Sequence, residues 1–228
     1  MVSLPDHLAA APVGKEKLPR AVVAQHQRRR LLTAAVGVFS ERGYAATTVE
    51  HLTAAAEIGV GSFYSLCSGK EDCLLALYDD AVSEARSAIA SAVGERAESS
   101  WPEQTCVGLR VLLDWVAEQP LQARIVFIEI QTAGGEALRR YTATLDSAAE
   151  FLALGRKIAQ PSSRRLPESL EQTTVSGIAW LLHRYLSLGK AASAPELFED
   201  LAELVLEPYL GEDQAREAVS QVLLAPPR

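Results

Sequence analysis

The sequence predicts an all-α fold: a small N-terminal three-helix unit joined to a larger helical body. Apolar residues recur at helical spacing through most of the chain, and no stretch of useful length alternates as a strand would. Aromatics make up only 6% of residues while alanine is abundant, which suits helices packed closely through small side chains. At 228 residues and 48% hydrophobic, the chain can bury a sizeable core and exceeds a lone small module.

Residues 1–20 hold three prolines and no sustained period and read as a flexible arm, on which Lys15, Lys17 and Arg20 are available for phosphates. A helix is expected over 21–42, with Leu31, Leu32, Ala35, Val38 and Phe39 on one stripe, and Gly43 stops it. Arg28, Arg29 and Arg30 lie on that helix and suggest phosphate steering. Thr47-x-x-Glu50 reads as a capping box opening a short helix to Ala56, and Ser68-x-x-Glu71 as a second box opening a longer helix over 70–93. Between them come a break at Ile58-Gly59 and a helix over 60–66. Helix, tight turn, helix is the geometry that lays one helix in the major groove of DNA.

The body is expected to hold helices over 102–118, 121–132, 136–159, 167–190, 195–210 and 212–224. The segment 121–132 is apolar on nearly all sides and reads as one buried central helix. Gly134-Gly135, the 161–167 loop and the Gly189/Pro195 junction separate the others.

Charge is divided unevenly. Residues 1–70 carry eight Lys/Arg against five Asp/Glu, a net +3, and the remainder carries 14 against 24, a net −10. A mildly basic head on an acidic body fits DNA binding at one end. Three cysteines without metal spacing fit a reducing cytoplasm, with Cys67 and Cys73 as a candidate redox pair. No apolar run approaches the ~18 residues of a membrane span. The four histidines are scattered, and no nucleophile elbow, phosphate loop or dinucleotide fingerprint occurs, so neither a metal, a cofactor nor an enzyme is expected.

Ala34-Ala35, Phe39-Ser40-Glu41-Arg42-Gly43-Tyr44, Thr47-Thr48-Val49, Val60-Gly61-Ser62-Phe63-Tyr64 and Lys70-Glu71 together resemble the DNA-binding domain of the tetracycline-repressor (TetR) family of bacterial transcriptional regulators. The likeness covers about residues 25–85, with the helix-turn-helix at about 48–67. It implies a DNA-binding domain over 21–69 and a regulatory and dimerisation domain over 70–228. The DNA-facing set is then Thr47, Thr48, Gly59, Val60, Gly61, Ser62, Tyr64, Ser65 and Lys70. Phe63 is the better core candidate, pointing roughly 100° away from Tyr64. Lys70, at a helix start where a cation gains nothing from the dipole, is expected to have an outside partner such as phosphate.

Glu57 departs from the family pattern where a turn glycine is common, Gly59 where a serine is frequent, Val60 where a basic residue is frequent and Cys67 where a core aromatic is common. Val60 has the apolar surface for contact with a thymine methyl. The resemblance further implies a homodimer whose last two long helices form a four-helix bundle, through Val175, Ile178, Ala179, Leu182 and Leu186 on one helix and Leu197, Leu201, Leu204 and Val205 on the other. Two-fold symmetry would match a palindromic operator in double-stranded DNA. An unidentified small-molecule effector is expected in a pocket walled by Trp115, Phe127, Tyr141, Trp180 and His183. The expected function is a repressor released from its operator by that effector. The alternative is a helical ligand-binding or protein-interaction dimer that has lost DNA recognition.

Overall fold

A computed structural model describes residues 20–95, 99–159 and 166–224, and every regular element among them is helical. Helices α1 (Arg20–Arg42), α2 (Val49–Ala56) and α3 (Val60–Leu66) form the head, and α4 (Lys70–Gly94) leaves it. The body adds α5 (Trp101–Glu118), α6 (Pro120–Phe127), α7 (Gly135–Ala153), α8 (Leu170–Ser187), α9 (Phe198–Leu210) and α10 (Glu212–Leu224). Short 3-10 turns at Glu129–Thr132, Leu154–Lys157 and Ala191–Leu197 fill junctions where the sequence predicts the ends of longer helices.

The core does not divide at the head. One cluster runs from Leu31, Phe39, Leu52 and Phe63 through Leu74, Leu77 and Tyr78 of α4 to Leu113, Ile125, Leu182 and Leu206. The first half of α4 is buried between head and body, so the two share a helix rather than a linker. A smaller cluster joins Ala149, Leu152, Val175 and Val205.

Helix starts follow the capping rule but not always at the expected residues. The cap of α2 is Thr48: its hydroxyl accepts from the His51 N–H at 3.3 Å, and His51 Nδ1 accepts from the Thr48 N–H at 3.2 Å. Thr47 is only 1% exposed and its hydroxyl donates to the Gly43 carbonyl at 2.8 Å, so it closes the end of α1 instead. At α4 the carboxylate that reaches back belongs to Asp72, not Glu71, and accepts from the Ser68 N–H at 2.9 Å. Ser100-x-x-Glu103 is a further capping box, and it opens α5.

The expected continuous helix over 121–132 is broken. Ile128 leaves helical geometry (φ −121°, ψ −65°), and the chain continues as a 3-10 turn. No glycine or proline marks that point. The break turns the buried Glu129 toward the head, where its Oε2 accepts from the Tyr44 N–H at 2.8 Å. Its Oε1 faces Arg124 at 3.5 Å. A second buried carboxylate secures the far end: Glu171 takes both Arg156 nitrogens at 2.7 and 2.8 Å and the Tyr209 hydroxyl at 2.8 Å. Burial works to raise the Glu171 pKa, but the Arg156 and Tyr209 hydrogen bonds outweigh it and hold the carboxyl below its ordinary range.

Candidate nucleic-acid interface

The turn between α2 and α3 is made at Glu57, the only non-glycine residue with positive φ among the described residues (φ 52°, ψ 46°). Left-handed backbone here lets the Glu57 N–H bond Ala54 O and the Ile58 N–H bond Thr53 O, closing α2. Helix α3 then starts at once from Gly59. Its single fully buried side chain, Phe63, sets the rotation of the helix, as the sequence predicts. The rest of its surface is turned out: Gly59, Val60, Gly61, Tyr64 and Ser65 are exposed and Ser62 is half-buried. Thr48, at the start of α2, is exposed as well. Seven of the nine expected DNA-facing residues therefore share accessible positions on the helix-turn-helix.

The other two do not. Thr47 faces inward, against the end of α1. Lys70 donates to the carbonyls of Tyr44 and Thr47, both at 2.9 Å, and to that of Ala45 at 3.4 Å, while its ammonium lies 4.3 Å from the centre of the Tyr44 ring. All three N–H groups of the lysine are thus accounted for inside the chain. The α1–α2 turn thus supplies a partner within the chain for a cation at a helix start.

Two arginines of the run, Arg28 and Arg30, are likewise used internally, while Arg29 is exposed. Arg28 Nη1 donates to Leu66 O at the end of α3 (3.3 Å), and Arg30 Nη2 to Ala56 O at the end of α2 (2.8 Å) while pairing with Glu57 at 3.2 Å. Cations at helix C-termini satisfy orphan carbonyls and suit the dipole. The segment 1–19, with Lys15 and Lys17 of the expected arm, lies outside the described residues.

Behind the head, α4, α5, α6, α7 and α8 line a partly open cavity of about 440 Å³. Trp115, Phe127 and Tyr141 line it, as expected. Trp180 and His183 do not: Trp180 is 62% exposed on the outer face of α8, and His183 Nδ1 sits 2.9 Å from the Phe127 carbonyl. In their place the wall takes Val175, Ile178, Ala179, Leu182 and Val205, five residues expected at a dimer contact. Leu186 and Leu201 are also buried within their own chain, and Leu197 is half-buried in a 3-10 turn, which leaves Leu204, 58% exposed, as the one expected contact residue fully turned out. The inward and outward stripes of α8 are therefore exchanged relative to expectation. Burial raises the pKa of the Tyr141 phenol on this wall, which keeps it a neutral hydrogen-bonding group. A larger, more open cleft of about 940 Å³ lies between α1, α4 and α6, walled partly by Arg28, Arg29, Asp80 and Glu84. The cavity behind the head is the more apolar and the less open of the two.

The three cysteines are buried free thiols. The Cys67 thiol is drawn down by its hydrogen bond with Cys73, whose own pKa is pushed up by the same contact and by burial. Burial also raises Cys106, to about 11. Among the described residues there is no cluster able to hold a metal, and no helix is long and apolar enough to cross a membrane.

A three-helix head with an outward-facing second motif helix, fused to an all-helical body around a cavity, defines a helix-turn-helix fold. Residues 31–77 match the family model of bacterial regulatory proteins, tetR family. The matched segment runs from Leu31 in α1 to Leu77 in α4 and so contains the helix-turn-helix. The chain's fold is shared with the regulator FadR of Bacillus subtilis, solved with stearoyl-CoA (TM-score 0.64, 17% identity, 79% of this chain and 98% of that one). It is shared with RolR solved with resorcinol (TM-score 0.58, 21% identity, 92% and 99%) and with the tetR-family regulator PfmR of Thermus thermophilus (TM-score 0.58, 19% identity, 88% and 97%). Among curated proteins none matches the chain.

Proposed function

We propose that this protein is a DNA-binding transcriptional regulator, that it acts in the cytoplasm as a homodimer on a palindromic operator, and that an apolar small molecule in the 440 Å³ cavity lowers its affinity for that operator. The observation that carries this reading is the sharing of structure between cavity and head. Helix α4 contributes Leu74 and Tyr78 to the continuous core and, a few turns on, Val82, Ala85 and Ile89 to the cavity wall. Phe127 of the wall stands two residues before Glu129, which holds the Tyr44 N–H. A ligand that moves either wall element must also move an anchor of the helix-turn-helix. It shifts occupancy only by its differential affinity for the two arrangements, typically ~1–3 kcal/mol.

DNA is held, in this reading, by Thr48, Ser62 and Tyr64 on phosphate oxygens, while α3 lies in the major groove. Self-association uses the outer faces of α8 and α9, where Trp180, Leu188 and Leu204 are exposed near the small residues Ser176 and Gly177. The neighbours solved with stearoyl-CoA and with resorcinol give precedents of ligand-bound proteins on this fold, and the apolar wall here favours a mostly apolar effector. The reading is of a binding protein, with no catalytic residue assigned.

The test is binding of the full chain to duplex DNA flanking its own gene over a salt series. A specific complex of two chains per palindromic site, weakening steeply as salt rises, is expected. Absence of any specific, salt-dependent complex would sink the operator reading.

A further inference from the structure

The composition of α3 bears on how the operator is read, and this inference rests on the DNA-binding function given above. Hydrogen-bonded readout in the major groove uses Arg or Lys on guanine, Asn or Gln on adenine, and Asp or Glu on cytosine. Helix α3, Val-Gly-Ser-Phe-Tyr-Ser-Leu, contains none of these bidentate readers; its only small hydroxyls are Ser62 and Ser65, which can contact any base and so discriminate little. Of the head's described cations, Arg28, Arg30 and Lys70 are engaged with carbonyls of Leu66, Ala56 and the Tyr44–Thr47 turn, and Arg29 and Arg42 stand on α1, not on α3. The Ser65 hydroxyl donates to Ser62 O at 2.7 Å within the helix.

What α3 does present is apolar and small. Val60, its first residue, is 47% exposed, although Phe63 already supplies the packing that seats the helix. A Cβ added to Gly61 would meet no atom within 4 Å, so no internal contact requires glycine there, and its missing side chain leaves room beside Val60 for an incoming surface. The first turn of a recognition helix is the part that meets base edges. The one apolar group on those edges is the thymine C5 methyl.

We propose that Val60 packs against a thymine methyl in each half-site, and that this helix specifies its operator by methyl contact and DNA shape without hydrogen bonds to guanine or adenine. Gly61 serves the contact by letting the helix approach closely enough to exclude water from it. Ser62 and Tyr64 hold phosphates in register and add no base preference.

Selection of duplexes from a random-sequence library by the full-length protein, followed by deoxyuridine substitution at single thymines, tests this directly, because deoxyuridine removes only the methyl group. The enriched half-sites are expected to share a fixed thymine. Its replacement should weaken binding about fourfold per half-site and about fifteenfold when both are changed, the scale of one buried methyl converted to affinity. Val60→Ala should bind the thymine site more weakly and lose most of the deoxyuridine effect. Val60→Arg should move the preference at that position toward guanine. Both variants alter an exposed residue, and their unchanged helical circular dichroism confirms folding. Half-sites specified by guanine or cytosine without a methyl-sensitive thymine would overturn the proposal, as would a Val60→Ala variant that keeps the full deoxyuridine penalty. A library that yields no enriched duplex would instead remove the operator-binding reading on which the proposal rests.

Discussion

Helices α3 and α8 both turn apolar side chains into solvent, and the comparison separates two ways a sequence can be read. Helix α3 has seven residues and one inward anchor, Phe63, so its rotation has a single solution and Val60 and Tyr64 must face out. Helix α8 has eighteen residues and apolar side chains on two faces: Val175, Ala179, Leu182 and Leu186 within the chain, Trp180 outside, and Leu188 exposed just beyond its end. Periodicity locates both stripes but cannot say which belongs to the chain's own core. The larger regular stripe, expected against a partner subunit, lines the cavity. The isolated tryptophan, expected in the cavity, faces solvent.

The comparison would break most visibly at Trp180. If the outer face of α8 is the self-association surface, Trp180→Glu places two charges in a symmetric contact, and the dimer should weaken by more than about a hundredfold, the scale of a lost aromatic hot spot counted twice. Sedimentation at micromolar concentration should then find monomers. An unchanged mass would move the contact elsewhere and leave Trp180 as an isolated exposed residue.

A smaller effect is expected at Lys70, where the head is stapled from within. Lys70→Ala leaves the Tyr44 and Thr47 carbonyls without their partner and should destabilise the protein by about 1–3 kcal/mol in chemical denaturation. DNA affinity should fall with the loosened head, but the slope of affinity against salt should stay as it was. A slope reduced by about one would show that the lysine neutralises a phosphate instead.

The smallest effect is expected at Glu57. Its left-handed backbone suits glycine, and Glu57→Gly should relieve strain worth about 1 kcal/mol at most. The exposed Arg30 ion pair that it removes contributes less than that. A slightly raised denaturation midpoint is the expected reading, and a clear fall would mean that Arg30 depends on Glu57 to hold the end of α2.

Most of the interface is legible in the sequence because helix-turn-helix information is local. Caps, a turn residue and one buried phenylalanine act within a few residues of each other, and the motif's spacing records them in order. Even so, the sequence places the cap of α2 one residue early, since Thr47 and Thr48 are chemically alike and only the burial of Thr47 against Gly43 distinguishes them. Lys70, Arg28 and Arg30 depart from expectation for a related reason. A cation's partner is fixed by distance in space, and a carbonyl at the end of another helix leaves no mark in the sequence.

The amino-acid sequence by itself determined that the chain is all helical, where its head lies, which short helix turns its surface outward, and that no basic residue stands at Val60. These follow from period, turn chemistry and residue type, which are properties of neighbours along the chain. Only the tertiary structure decided that the 121–132 segment breaks to deliver Glu129 to Tyr44, that the inner stripe of α8 walls a cavity, and that the head's cations hold helix ends. Each depends on contacts between residues far apart in sequence, where packing and the satisfaction of buried polar groups override local preference.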